Sequence, residues 1–204
     1  MKKMLILDFD GTVYDANNPI SKEIDDRVKQ FLLNRIKHTT ECSLVELENK
    51  YPNILNVLDM YSLDRDIYKK EVYSNLSYNY LIKNMELYDI FCRVTLKKIV
   101  ISLAPLKHIC KGLKSLGIYD CIDSVVSIYE IKEENEKYNQ IIKICNEENM
   151  DFNQVVVIGD SWENDLREAF EHGIEVCKIG YDELLAKKGI KCYANIFDCL
   201  QQYI

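Results

Sequence analysis

Near the start of the chain four apolar residues, Met4-Leu5-Ile6-Leu7, run straight into Asp8-Phe9-Asp10-Gly11-Thr12. A short apolar run with no polar alternation and a turn signal behind it is the pattern of a strand buried on both faces. Residues two apart on an extended chain point to the same side, so Asp8 and Asp10 share a face if the strand reaches that far. They stand where it ends, at the carboxyl edge of the sheet, which is where open α/β folds place their chemistry. Two like charges about 4 Å apart repel by roughly 4 kcal/mol at an effective dielectric near 20. A cation, a lysine or a raised pKa on one partner has to offset that. An isolated D-x-D also has a plainer reading, with Asp10 capping an ordinary turn before Gly11-Thr12. The rest of the chain has to choose between the two.

Helices dominate the residues that follow. Asn17-Asn18-Pro19 marks a loop, Ser21 suits an N-cap, and Ile24, Val28, Phe31, Leu32 and Ile36 recur at helical spacing. Ser43-Leu44-Val45-Glu46 has the form of a capping box, which predicts a helix opening at Ser43 and interrupted by Pro52. Ile54, Leu55 and Leu58 form another apolar stripe, and Asp64 suits the cap of a helix through Tyr73. No convincing strand falls between residues 16 and 82.

Past residue 88 the rhythm changes. A short helix over 88–96 leads into a strand at Ile99-Val100-Ile101-Ser102, and Pro105 begins a helix that Gly117 stops. Strands then follow at 123–127, at Val155-Val156-Val157-Ile158-Gly159-Asp160 and at 175–179, with helices around 140–146, 165–172 and 196–203 between and after them. Strands alternating with helices argue a parallel, doubly wound α/β sheet. This predicts a Rossmann-like core of residues 1–15 and 83–204, with residues 16–82 inserted as a small all-helical domain.

Four features lie at strand ends in this scheme: Asp8 with Asp10, Ser102, a lysine between 132 and 137, and Asp160 with Asp165. The ordered set resembles the haloacid dehalogenase-like hydrolase superfamily, whose first motif, D-x-D-G-T, stands here as Asp8-Phe9-Asp10-Gly11-Thr12. Its second motif corresponds to Ile99–Ser102, though Leu103 follows where relatives commonly carry Asn. Its fourth corresponds to Gly159-Asp160 with Asp165, and Ala169 and Gly173 suit the helix there. The resemblance covers residues 1–15 and 88 onward; the stretch between matches only in placement, as a cap inserted after the first strand.

The resemblance implies a role for each residue. Asp8 attacks phosphorus and becomes an aspartyl-phosphate. Asp10 protonates the leaving oxygen and then deprotonates the hydrolytic water, a role suited by a raised pKa. The Asp8 carboxylate, the Asp10 backbone carbonyl and Asp160 hold Mg²⁺, an all-oxygen set suited to a hard cation. Asp165 holds a coordinated water or orients the lysine, and Ser102 donates a hydrogen bond to a phosphoryl oxygen. Lys137 fits the lysine position, just ahead of the helix at 138–145; Lys132 is the other candidate, and a solvated lysine is the plainer reading of that stretch. No proline follows either, where the family often has one.

These roles describe Mg²⁺-dependent hydrolysis of a small phosphorylated metabolite. A phosphomutase reusing the same acid–base step, or a non-catalytic phosphate-binding module, are the alternatives. Relatives that displace halide from carbon lack the second acid of the pair, so Asp10 points to phosphate.

Composition narrows the partners. With 26 basic and 33 acidic residues the net charge is −7 and no basic block exists, which argues against nucleic acid. No stretch of about 18 apolar residues could span a membrane. The 8 cysteines contain no C-x-x-C pair and several sit inside apolar patterns, as reduced thiols of a cytoplasmic protein would. The inserted stretch holds Tyr51, Tyr61, Tyr68, Tyr73, Tyr78 and Tyr80, with Tyr14 at its entrance. Tyrosines so placed either line a lid that stacks on the substrate or pack the inside of the insertion.

Overall fold

A computed structural model describes residues 1–36, 41–131 and 136–204. The chain opens with β1 (Met4–Leu7), every residue of it buried. Then come α1 (Pro19–Arg35), α2 (Glu41–Lys50), α3 (Ile54–Met60), α4 (Arg65–Tyr73), a 3₁₀ turn at Tyr78–Tyr80 and α5 (Met85–Arg93). Strand β2 (Lys97–Ser102) returns to the sheet, followed by α6 (Leu106–Leu116), β3 (Ser124–Ser127), α7 (Lys137–Glu147) and β4 (Val155–Gly159). A π-helical turn at Trp162–Leu166 leads into α8 (Arg167–Glu171), and β5 (Glu175–Ile179), α9 (Glu183–Lys187), β6 (Lys191–Tyr193) and α10 (Ile196–Leu200) finish the fold.

Among the described residues the strands form one 6-stranded sheet in the order β3-β2-β1-β4-β5-β6, with every neighbouring pair parallel. Strand β1 therefore sits between β2 and β4, and the winding reverses there. The crevice past the carboxyl ends of the strands at such a reversal is where doubly wound sheets bind ligands. Leu7 is level with Val100 of β2 and Ile158 of β4, so Asp8, Ser102 and Asp160 all stand at that one edge.

Local signals account for most element ends. Asp64 caps α4 by accepting from the Ile67 amide at 2.9 Å, and Gly117 stops α6 in the left-handed region at φ 77°. Three expectations need correction. The cap of α1 is Asn18, whose side chain accepts from the Ile20 amide at 3.1 Å; Ser21 lies inside the helix. Pro19 at the first helical position explains the shift, since its fixed φ suits the helix start and its missing N–H is not needed there. Helix α2 begins at Glu41, so Ser43 is within it and opens no capping box. The helix placed at 88–96 is α5, begun earlier by Asn84, which accepts from the Glu86 and Leu87 amides. Short β6 and α9 carry too little periodicity to stand out in the sequence.

The helices between β1 and β2 close over the sheet edge. Asn164 donates to the Pro52 carbonyl at 3.2 Å, Lys69 pairs with Glu130 at 2.7 Å, and the Tyr129 hydroxyl donates to the Arg65 carbonyl. Tyr68 is 1% exposed and packs on Phe31, Tyr73 and Tyr129, so its ring holds the insertion together, whereas Tyr61 and Tyr80 are exposed. No helix among the described residues is long and apolar enough to cross a membrane.

Candidate active site

The site is built from the ends of β1, β4 and α7. The Asp8 amide donates to the Ile158 carbonyl at 2.9 Å, which fixes the first residue beyond β1 against β4. Asp165 rides on the π-helical turn, and its Oδ2 accepts from the Ser161 amide at 2.9 Å. A π-helical turn inserts an extra residue per turn and is common at functional sites. Carboxylate oxygens of Asp8, Asp160 and Asp165 lie within 4.8 Å of one another. Lys137, at the first position of α7, reaches into this group: its Nζ is 2.5 Å from Asp8 Oδ1 and 2.5 Å from Asp165 Oδ1. Lys132 lies outside the described residues.

One ammonium among three carboxylates leaves an excess of negative charge. Burial pushes Asp8 well above the usual aspartate range, and Asp165 and Asp160 add to the rise against the pull of Lys137. Asp160 is raised to about 6, by burial and by Asp165. Burial alone would lower Lys137, but Asp165 and Asp8 outweigh it and hold the ammonium above the ordinary lysine value. Three hard oxygen donors, crowded and short of positive charge, fit a divalent cation of the Mg²⁺ type. That shortage is the fit; it is a property of the donor set.

Glycine makes the crowding sterically allowed. Gly11 has φ +79°, and a Cβ there would come within 2.4 Å of Asp160 Oδ2. Thr12 next to it donates to Asp160 Oδ1 at 3.3 Å. A Cβ on Gly159 would meet the Asp165 Cβ at 2.5 Å.

Asp10 belongs to the same edge but to a different network. Its Oδ1 accepts the Tyr14 hydroxyl and faces His108 Nε2 at 2.8 Å. Burial pushes Asp10 up, yet His108 and Tyr14 outweigh it and bring the carboxyl below the usual range. The role implied for Asp10 is suited by a raised pKa, and the shift runs the other way. His108 supplies the difference: it is 1% exposed, and its Nδ1 meets the Tyr78 hydroxyl at 3.0 Å. No sequence pattern marks His108, which sits on the apolar side of α6. Tyr14, four residues after Asp10 on a tight turn, had a detectable spacing.

Ser102 is buried at the end of β2, and its Oγ accepts from the Ala104 amide at 3.1 Å. It thus caps the local turn. A cleft of about 800 Å³ borders Asp160 and is lined by Gly11, Thr12 and Lys178 together with both stretches of chain that join the helical insertion to the sheet.

The chain matches the family model described as haloacid dehalogenase-like hydrolase over residues 5–179. A Bacteroides fragilis structure assigned to the haloacid dehalogenase-like hydrolases superposes with a TM-score of 0.71 at 15% identity, covering 98% of this chain and 100% of that one. A haloacid dehalogenase-like family hydrolase from Streptococcus pneumoniae gives 0.68 at 16% identity, covering 100% and 99%. The L-2-haloacid dehalogenase of Xanthobacter autotrophicus gives 0.52 at 16% identity, covering 98% and 88%. At such identities the structures speak to the fold. No curated protein matches the chain.

Proposed function

The chain belongs to the haloacid dehalogenase-like hydrolases, and from that premise we propose that it is a Mg²⁺-dependent phosphomonoester hydrolase. Its substrate is a small phosphorylated metabolite, and it works in the cytoplasm through an aspartyl-phosphate on Asp8. The observation that carries this reading is the joining of Asp8, Asp160, Asp165 and Lys137 at the sheet's reversal, with Asp10 two residues from the nucleophile. The family's halide-displacing members lack that second acid, so Asp10 weighs against a dehalogenase.

Mg²⁺ would be held by the Asp8 carboxylate, the Asp10 backbone carbonyl and Asp160, and when bound it neutralises charge on the phosphoryl oxygens and on the cluster. Asp8 Oδ attacks phosphorus and the bond to the leaving oxygen breaks as Asp10 gives that oxygen a proton. Asp10 then takes a proton from water, whose oxygen attacks the same phosphorus and releases phosphate and free Asp8. Lys137 offsets the charge of the attacking carboxylate, and Asp165 orients Lys137 through their shared bond. Ser102 donates to a phosphoryl oxygen. The helical insertion, residues 16–82, acts as a cap that excludes water when shut.

The test is turnover of p-nitrophenyl phosphate with and without Mg²⁺, in wild type and in Asp8→Asn. Activity should need the ion and vanish in the variant; robust turnover by Asp8→Asn rejects the mechanism. An isomerised product that depends on a bisphosphate would make the protein a phosphomutase. Failure to bind both Mg²⁺ and beryllofluoride would leave a non-catalytic module. A panel of phosphorylated metabolites ranked by kcat/KM then identifies the substrate.

A further inference from the structure

A hydrogen-bonded chain leaves the site in a direction that the phosphoryl chemistry does not use. It runs from Asp10 Oδ1 to His108 Nε2 at 2.8 Å, and from His108 Nδ1 to the Tyr78 hydroxyl at 3.0 Å. Asp10 and His108 belong to the sheet domain's side of the molecule, whereas Tyr78 belongs to the segment inserted between β1 and β2. The ring of His108 is held on three sides, edge-on to Phe9 at 5.6 Å and Tyr73 at 5.2 Å and tilted against Tyr78 at 5.7 Å. A histidine so confined cannot swing away from Asp10 without displacing aromatic neighbours.

The donor count assigns the hydrogens. An ionised carboxylate only accepts, so His108 Nε2 carries its hydrogen toward Asp10. On its other side the ring meets the Tyr78 hydroxyl through Nδ1 at 3.0 Å. The Tyr14 hydroxyl also donates to Asp10, and to the same oxygen, Oδ1. Two donors on one oxygen leave no place for a proton on it. When Asp10 is protonated, the proton must therefore sit on Oδ2.

We infer that His108 is a positioning residue which, with Tyr14, occupies Oδ1 of Asp10 and so makes Oδ2 the oxygen that delivers the proton to the leaving group. Tyr78 orients His108 from the insertion, so the acid is correctly held only when the insertion is seated. This rests on Asp10 being the general acid of the reading above. The step balances simply: the Oδ2–H bond breaks as the leaving oxygen takes that proton and its bond to phosphorus breaks. Both bonds to Oδ1 persist throughout.

The experiment compares kcat/KM for phenyl phosphate and 2,4-dinitrophenyl phosphate, with Mg²⁺, in wild type, His108→Phe, His108→Gln and Tyr78→Phe. The two substrates share an aryl phosphate core, but dinitrophenolate leaves without needing a proton. His108→Phe, which keeps the aromatic packing, should lose at least about tenfold more on phenyl phosphate than on the dinitrophenyl ester. His108→Gln, whose side-chain amide can donate in place of Nε2–H, should narrow that gap. Tyr78→Phe should shift the ratio in the same direction as His108→Phe, by less.

Equal losses on the two esters, or no loss on either, overturn the inference while the phosphatase reading stands. A wild type inactive on both esters sinks the phosphatase reading and the inference together. Should His108→Phe not fold, Tyr78→Phe and His108→Gln decide: an unchanged substrate ratio in Tyr78→Phe counts against the inference, a shifted one for it.

Discussion

Lys137 and Asp8 stand 129 positions apart in the chain, and the lysine Nζ lies 2.5 Å from the aspartate Oδ1 with both side chains buried. A second bond of 2.5 Å ties the same ammonium to Asp165. Lys137 is hydrogen-bonded to two of the three clustered carboxylates, so its removal has an outcome that can be foreseen. Breaking a buried ion pair from one side costs about 3–5 kcal/mol, because the partner charge is left without compensation. Lys137→Met should therefore lower Tm by roughly 6–20 °C. It should also cut kcat/KM by about 10²–10³-fold, the usual loss when one preorganised charge stabiliser is removed. Differential scanning calorimetry and steady-state kinetics read the two effects, and a variant as stable as wild type would show that the cluster does not depend on this charge.

The same cluster predicts how Mg²⁺ acts on stability. Asp8 and Asp160 are raised in the folded protein, Asp160 to about 6, whereas an unfolded aspartate titrates near 3.9. Between those values the native state binds more protons than the unfolded one, so stability falls as pH rises through the window. The contribution is fully present below the unfolded value and gone above the folded one. A cation that binds the ionised cluster reverses this loss. At about 100 times its Kd, Mg²⁺ adds about 2.7 kcal/mol, or roughly 5–11 °C in Tm. The shift should be largest near neutral pH and shrink toward about pH 5, where protons compete for the carboxylates. A thermal-shift titration against pH checks it; a Tm indifferent to Mg²⁺ at pH 7.5 would contradict the site.

How much of this was legible in the sequence follows from how local each signal is. Asp8 and Asp10 end an unbroken apolar run, and Asp160 ends another, so their placement at a sheet edge needed no long-range knowledge. Lys137 could be named only through the family resemblance, which puts a lysine just ahead of the helix preceding the Gly-Asp strand, and Lys132 and a solvated lysine stood beside that reading. His108 could not. It lies within the helical spacing of α6 and differs from a core residue only through contacts with Asp10 and Tyr78, 98 and 30 positions away. The direction of the Asp10 shift is illegible for the same reason, since His108, which does most to lower it, carries no local signal. Strand β6 was missed because 3 residues carry no usable period; it is held by pairing with β5, with Ile179 level with Tyr193.

Away from the site, Glu175 on β5 offers a second pH-dependent test with the opposite sign. Burial pushes its carboxyl up, but bonds from Lys191 at 2.8 Å and Lys2 at 3.0 Å outweigh burial and hold it below the usual range. A depressed carboxylate stabilises the fold above its unfolded pKa and loses that contribution as pH falls through the folded value. Glu175→Gln should cost less than about 1 kcal/mol at neutral pH, since the pair is partly exposed. The difference from wild type should fade on acidification. Urea melts at neutral and acid pH measure it, and a gap that widens toward acid would refute the assignment.

Three glycines separate backbone strain from crowding of the carboxylates. Gly11 combines both: φ is +79° and an added Cβ would strike Asp160 Oδ2 at 2.4 Å. Gly173 has φ +83° but open space where a Cβ would go, so alanine there brings strain alone. Gly159 lacks a positive φ, yet its Cβ would meet Asp165 at 2.5 Å. An L-residue in the left-handed region costs about 1–2 kcal/mol. Gly173→Ala should therefore lower Tm while kcat/KM is kept. Gly159→Ala should lose activity through displacement of Asp165, and Gly11→Ala should lose both stability and activity. A misplacement near 1 Å costs about 10²-fold in rate, which sets the size expected in the two active-site variants. If Gly173→Ala lost as much activity as Gly11→Ala, general destabilisation would explain the losses and the tight approach of Gly11 to Asp160 would be irrelevant to turnover.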